Sequence, residues 1–64
     1  MGQIMTNVEV AGGTYSAGIR YDEFVKEFHD AIAEQRFMRV RGFPDGTLTL
    51  NPLAIQAIQD YSFD

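Results

Sequence analysis

Arg39 and Arg41 are the side chains whose type and spacing most directly suggest chemistry. Alternate residues of a strand share a face, so both guanidiniums stand on one side, with Phe37 and Phe43 beside them. Two arginines between aromatic rings suit phosphates next to a stacked base, as in a nucleotide or single-stranded nucleic acid. Arg20 and Arg36, at the two ends of the segment that follows a helical pattern, are placed to join them. The competing use is structural: Arg39 and Arg41 pair with acids such as Glu9 across a sheet, or with acids of a neighbouring subunit. A formal charge of −4 argues against a long nucleic acid, whose binding depends on neutralising many phosphates. It leaves a small phosphorylated ligand or an acidic protein compatible.

Catalytic constellations are poorly represented. The chain has no cysteine, hence no thiolate nucleophile, disulfide framework or cysteine zinc site, and a single histidine, His29. A nucleophilic arrangement would need a serine and an orienting acid converging on His29, and Ser16 and Ser62 fall on different elements. Carboxylate metal sites need a loop that turns several oxygens inward, and Asp45-Gly46 by itself is a turn signal. Asp22, Glu23, Glu27, Asp30 and Glu34 are interrupted by Lys26 and His29 and match a solvated helix face. The expectation is no catalytic residue, no metal and no cofactor. Met1-Gly2-Gln3-Ile4-Met5-Thr6 matches the loose N-myristoylation pattern. With no Lys or Arg in the first dozen residues to give a second membrane signal, it is read as an ordinary start region.

The elements that must position these residues follow from periodicity. Gly12-Gly13 supplies a tight turn between two alternating segments. Pairing Ala11 with Thr14 sets Val10 against Tyr15, Val8 against Ala17 and Thr6 against Ile19 on one mostly apolar face. Over Tyr21–Gln35 the apolar residues Tyr21, Phe24, Val25, Phe28, Ala31 and Ile32 fall at helical spacing. A second hairpin follows, in which Pro44 fits position i+1 of a type I turn and Gly46 the left-handed closing residue. Its register pairs Phe43 with Thr47 and Val40 with Leu50. Met38, Val40, Leu48 and Leu50 then face inward. In the tail, Asn51-Pro52 opens either a short helix or one helical turn followed by an extended stretch through Tyr61-Ser62-Phe63.

These elements predict a single α+β domain over residues 1–64: two β-hairpins forming an antiparallel sheet, with one amphipathic helix packed on it in the order ββαββ. The expected core is Val8, Val10, Tyr15, Ile19, Phe24, Val25, Phe28, Ile32, Met38, Val40, Leu48, Leu50 and Ile55. No stretch approaches the ~18 apolar residues of a membrane span. No apolar block follows a basic start, so the expectation is a cytoplasmic protein with no membrane partner. A chain of 64 residues buries only ~60% of its unfolded surface, yet this one carries five Phe, three Tyr and three Met. Phe37, Phe43, Tyr61 and Phe63 have no obvious place inside, which predicts a homo-oligomer, most simply a dimer, and makes Tyr61 and Phe63 candidate partner contacts.

The short hairpin, the acidic helix, Phe-Met-Arg-Val-Arg, Asp-Gly-Thr-Leu-Thr-Leu-Asn-Pro and Ile55…Ile58 resemble small proteins of bacteriophages and bacteria. The last third, Asp45 to Ile58, also resembles the small flagellar FlbD-like proteins, which carry a Gly-centred hairpin followed by Asn-Pro and spaced isoleucines. The long helix before the hairpin departs from the flagellar pattern. Neither resemblance brings catalytic residues; the first implies a phage accessory protein acting on a host protein. The function expected from the sequence is a non-enzymatic protein-binding adaptor or inhibitor whose exposed aromatics suit a basic or apolar partner surface. The alternative is an oligomer that sequesters a small phosphorylated ligand, such as a signalling nucleotide, through Arg39, Arg41, Phe37 and Phe43.

Overall fold

The structure, a computed structural model, describes residues 4–61. The candidate contact Phe63 and the N-terminal Gly2 lie outside the described residues. The order is β1 (Thr6–Val10), β2 (Gly13–Ala17), α1 (Tyr21–Glu34), β3 (Met38–Arg41), β4 (Thr47–Leu50), a 3-10 turn (Pro52–Ala54) and β5 (Ile55–Asp60). This is the expected α+β hairpin–helix–hairpin arrangement, and the tail takes the second of its two readings. Asn51 Oδ1 accepts the Leu53 N–H at 3.0 Å, with Pro52 at the first position of the turn. The cap signal is real but serves one turn only. Ile55 is already extended, and β5 lies antiparallel to β1.

Strand β1 is therefore central, in the order β2-β1-β5, while β3 and β4 form a separate two-stranded ribbon. Both hairpins keep their expected faces but slip by two residues from the expected register. In the first, Val10 pairs with Gly13 and Val8 with Tyr15, leaving Ala11-Gly12 as the loop. Gly12 alone takes a left-handed value, φ +95°, while Gly13 pairs with Val10 as the first residue of β2, so the turn sits one residue earlier than Gly12-Gly13. In the second, Val40 pairs with Leu48 and Arg41 with Thr47. The connection is a longer Gly42–Gly46 loop with a cis Phe43–Pro44 peptide, rather than a three-residue type I turn. A slip of two preserves side-chain parity, which is why the inner and outer sets survive.

The two sheets meet at one point. Ala17 bridges Gly42, the Gly18 N–H donates to Arg41 O at 2.8 Å, and the Phe43 N–H donates to Ser16 O at 3.1 Å. A Cβ on Gly18 would stand 2.8 Å from the Gly42 carbonyl oxygen, so the approach requires the missing side chain. Around this junction α1 seats Phe24 and Ala31 against Val8, Ala17, Met38, Val40 and Leu50, all buried. Val10, Ile19, Phe28, Leu48, Ile55 and Ile58 pack at the margin. Thr6 is buried too, its hydroxyl donating to Ile19 O at 2.8 Å.

Three expected core residues are outside it: Tyr15 is 47% and Ile32 40% exposed, and Val25 is half-buried without joining the core cluster. Tyr15 lies toward the turn end of β2, where Gly13 and Thr14 are exposed as well and the sheet has no cover. On α1 the small Ala31, not Ile32, faces the core, and Ala17 of β2 is fully buried as well; periodicity weighted to large side chains overlooks both.

The junction gives a direct test. Gly18→Ala forces a carbonyl to move, an overpacking cost of roughly 1–3 kcal/mol. That is a large part of the stability of a domain this small, since native proteins hold only roughly 0.05–0.15 kcal/mol per residue. Gly13→Ala meets nothing within 4 Å and has no left-handed φ. Urea unfolding should show a clear drop in midpoint for Gly18→Ala and little change for Gly13→Ala. Equal behaviour of the two would contradict the close approach.

Candidate functional site

Helix α1 ends in a left-handed residue that is not glycine. Gln35 has φ 55° and ψ 49°; its N–H reaches Ile32 O and the Arg36 N–H reaches Ala31 O at 3.0 Å, the paired bonds of a Schellman cap. This reverses the chain and sends Phe37 outward just before β3. Across from it, the 3-10 turn puts Pro52 inside and Leu53 outside. Between these two ends lies a cleft of about 530 Å³. Its walls come from the last turns of α1 (Ala31, Ile32, Gln35), the reversal (Arg36, Phe37) and the 3-10 turn (Asn51, Pro52, Leu53). Ala31 and Pro52 are its buried floor, while Ile32, Phe37 (62% exposed) and Leu53 (80% exposed) rim it.

Arg36 holds the reversal in place. Its Nη1 donates to Glu27 Oε2 at 2.7 Å and to Phe37 O at 3.3 Å, its Nη2 to Glu27 Oε1 at 3.4 Å, and its Nε to Glu34. The Glu27 and Glu34 carboxylates hold the guanidinium pKa above its ordinary value. Reciprocally, the hydrogen bond from Arg36, helped by the Arg39 backbone N–H, lowers Glu27 below the usual carboxylate range. Arg36 is thus occupied within the fold. Beside these acids on α1, Lys26 Nζ pairs with Asp30 at 2.9 Å, an exposed pair of small energetic weight.

Arg39 and Arg41 are exposed and make no ion pair with any described residue, Glu9 included. They alternate with buried Met38 and Val40 and lie opposite Thr49 and Thr47 on the outer face of the ribbon. Phe37 precedes them with the same parity. Phe43 sits in the loop, half-buried, with its backbone tied to Ser16. Tyr61 is 47% exposed and its N–H donates to Met5 O at 2.9 Å. It stands at the far end of β5 from Leu53, roughly 20 Å away for six residues of strand, so it is not part of the cleft.

Sequence periodicity singles out Phe37 as exposed but not Ile32, Leu53 or Gln35. The usable signal is the missing glycine after the helix, together with more large apolar residues than a core of this size can hold. His29 is exposed, with its ring edge-on to Phe28 at 5.6 Å between centroids. Among the described residues no three His, Asp or Glu side chains gather as metal ligands. A smaller cleft of about 60 Å³, lined by Asn7, Glu9, Thr14, Ala57 and Gln59, lies over the three-stranded sheet. Among the described residues no helix is long and apolar enough to cross a membrane. Comparison with protein-family models, curated proteins and solved structures gives no match.

The Glu27–Arg36 contact predicts a pH signature. A carboxylate whose pKa is lower folded than unfolded stabilises above its unfolded pKa, about 4.3, and loses that contribution as pH falls through the folded value. Arg36→Met should therefore melt below wild type at pH 7, with the gap narrowing as pH drops below about 4. A gap unchanged from neutral to acid pH would show that the pair does not hold the reversal.

Proposed function

We propose that this chain is a small non-enzymatic protein-binding adaptor or inhibitor whose docking site is the cleft between the end of α1 and the 3-10 turn. One observation carries the reading: three apolar side chains, Ile32, Phe37 and Leu53, stand open around a floor of Ala31 and Pro52. Contiguous apolar surface rimmed by polar groups is the mark of an interaction site. The polar lining supports binding over catalysis. Gln35 and Asn51 are amides, Asn51 caps the turn, and Arg36 is spent on Glu27 and Glu34. The partner is a cellular protein, or a host protein if the phage resemblance holds, and the setting is cytoplasmic.

Magnitudes bound what the cleft alone does. Fully burying a large apolar side chain is worth about 1.5–3 kcal/mol, and these three are already partly covered. Association costs an estimated 4–15 kcal/mol in lost freedom. The apolar rim by itself therefore gives weak docking, and useful affinity needs polar contacts beside it. The sequestration alternative ranks below this reading. Arg39 and Arg41 offer anion contacts on an open ribbon face, but they line neither of the two clefts described. Self-association would cover Phe37 and Leu53 as a partner does, which makes a dimer a competing occupant of the same surface.

A photo-cross-linking residue at position 53 should capture a partner from cell lysate. Phe37→Asp should remove that capture while changing stability by no more than about 0.5 kcal/mol, as expected of an exposed site. Equal capture from a cross-linker at position 14, on the distant hairpin, would contradict the assignment.

A further inference from the structure

We infer that the cleft takes a peptide segment carrying an apolar anchor flanked by carboxylates, with the anchor between Ile32, Phe37 and Leu53 and the acids on Arg39 and Arg41. This rests on the docking reading above and adds the chemistry of the partner. The chain as a whole is acidic, at −4, which by itself points to a basic partner. The charge is unevenly placed. Five of the acids lie on α1, and two of them, Glu27 and Glu34, pair with Arg36, the cation at the cleft wall, so that group is net negative. The surface that continues from Phe37 along β3 carries two arginines with no ion pair among the described residues, and threonines opposite them. Along that face, Arg39 and Arg41 carry positive charge that no described acid pairs with.

Spacing makes the inference specific. Residues two apart on a strand stand roughly 6.5–7 Å from one another, so Arg39 and Arg41 lie about one and two such steps beyond the Phe37 wall. An extended peptide advances by the same step. Its carboxylates would therefore fall about two and four residues from the apolar anchor, on one side of it. Guanidinium forks take such carboxylates by paired N–H···O bonds. A nucleic acid meets the arginines equally well, but the net charge of −4 opposes it.

Selection of a random twelve-residue display library on the folded full chain tests this. Enriched peptides should carry a Leu, Phe or Trp with Asp or Glu two and four residues to one side. A labelled peptide from that pool should bind about tenfold more weakly to the R39E/R41E double variant, since exposed pairs are worth a few-fold each. Its binding should also weaken with added salt. R39Q/R41Q should show a smaller loss, and selection on R39E/R41E should turn toward Lys and Arg at the same offsets. Enriched apolar peptides with no preference for acids would overturn this inference and leave the docking reading standing. Peptides whose binding ignores Leu53→Asp, or no enrichment at all, would overturn both. Sedimentation showing a dimer that Leu53→Asp dissolves would assign the cleft to a second copy and overturn the inference.

Discussion

The reversal at Gln35 is the constraint on which the rest of the molecule depends. A helix of 14 residues has to stop, turn and enter β3 with Met38 and Val40 inward. The chain does so through a left-handed residue with a side chain, a conformation that costs an L-residue roughly 1–2 kcal/mol. The two cap hydrogen bonds and the Arg36 side chain offset that cost. Arg36 reaches back to Glu27, two turns earlier, and so fixes the direction in which the chain leaves the helix. Because Arg36 and Phe37 complete the turn, Phe37 points out just where the next residue points in. The open cleft is a consequence of that geometry.

The second determinant is size. The buried core contains two large side chains that are wholly inaccessible, Phe24 and Met38, and its close packing relies on Ala17, Ala31, Gly18 and Gly42. Such a core has no room for Ile32, Phe37, Leu53, Tyr15, Tyr21 and Tyr61. The exposed residues are not evenly spread. Ile32, Phe37 and Leu53 come from three separate segments and meet around one cleft, whereas Tyr15 stands apart on β2 and Tyr61 just past the end of β5. Convergence, more than exposure, singles out the cleft.

Periodicity reveals the elements of this fold readily and their pairing less so. The helix stripe from Tyr21 onward and the alternation in both hairpins depend only on local spacing. They place the strand residues on their proper faces, while Tyr21 and Ile32 of the stripe stay exposed. Register depends on where the corner falls and how long the loop is. Gly12 alone is left-handed in the first hairpin, and Gly46 is left-handed as expected in the second but closes a longer loop, each a slip that preserves parity. The partnership of β5 with β1 is non-local, and Asn51-Pro52 announces a helix start that lasts a single turn. Of the candidate site, Arg39, Arg41 and Phe37 follow from strand alternation. The contribution of Ile32 and Leu53 depends on how the helix end meets the 3-10 turn, which no local pattern encodes.

That Ile32, Phe37 and Leu53 form a standing open cleft in the free protein is the claim from which the functional reading follows. Solvent paramagnetic relaxation, measured by NMR with a soluble gadolinium chelate on the free chain, addresses it most directly. The Ile32 and Leu53 methyl groups and the Phe37 ring should relax as strongly as exposed groups, while the methyl groups of Val8 and Leu50 stay protected. Protection of Ile32, Phe37 and Leu53 to the level of Val8 would show the surface to be closed or already covered, and would contradict it.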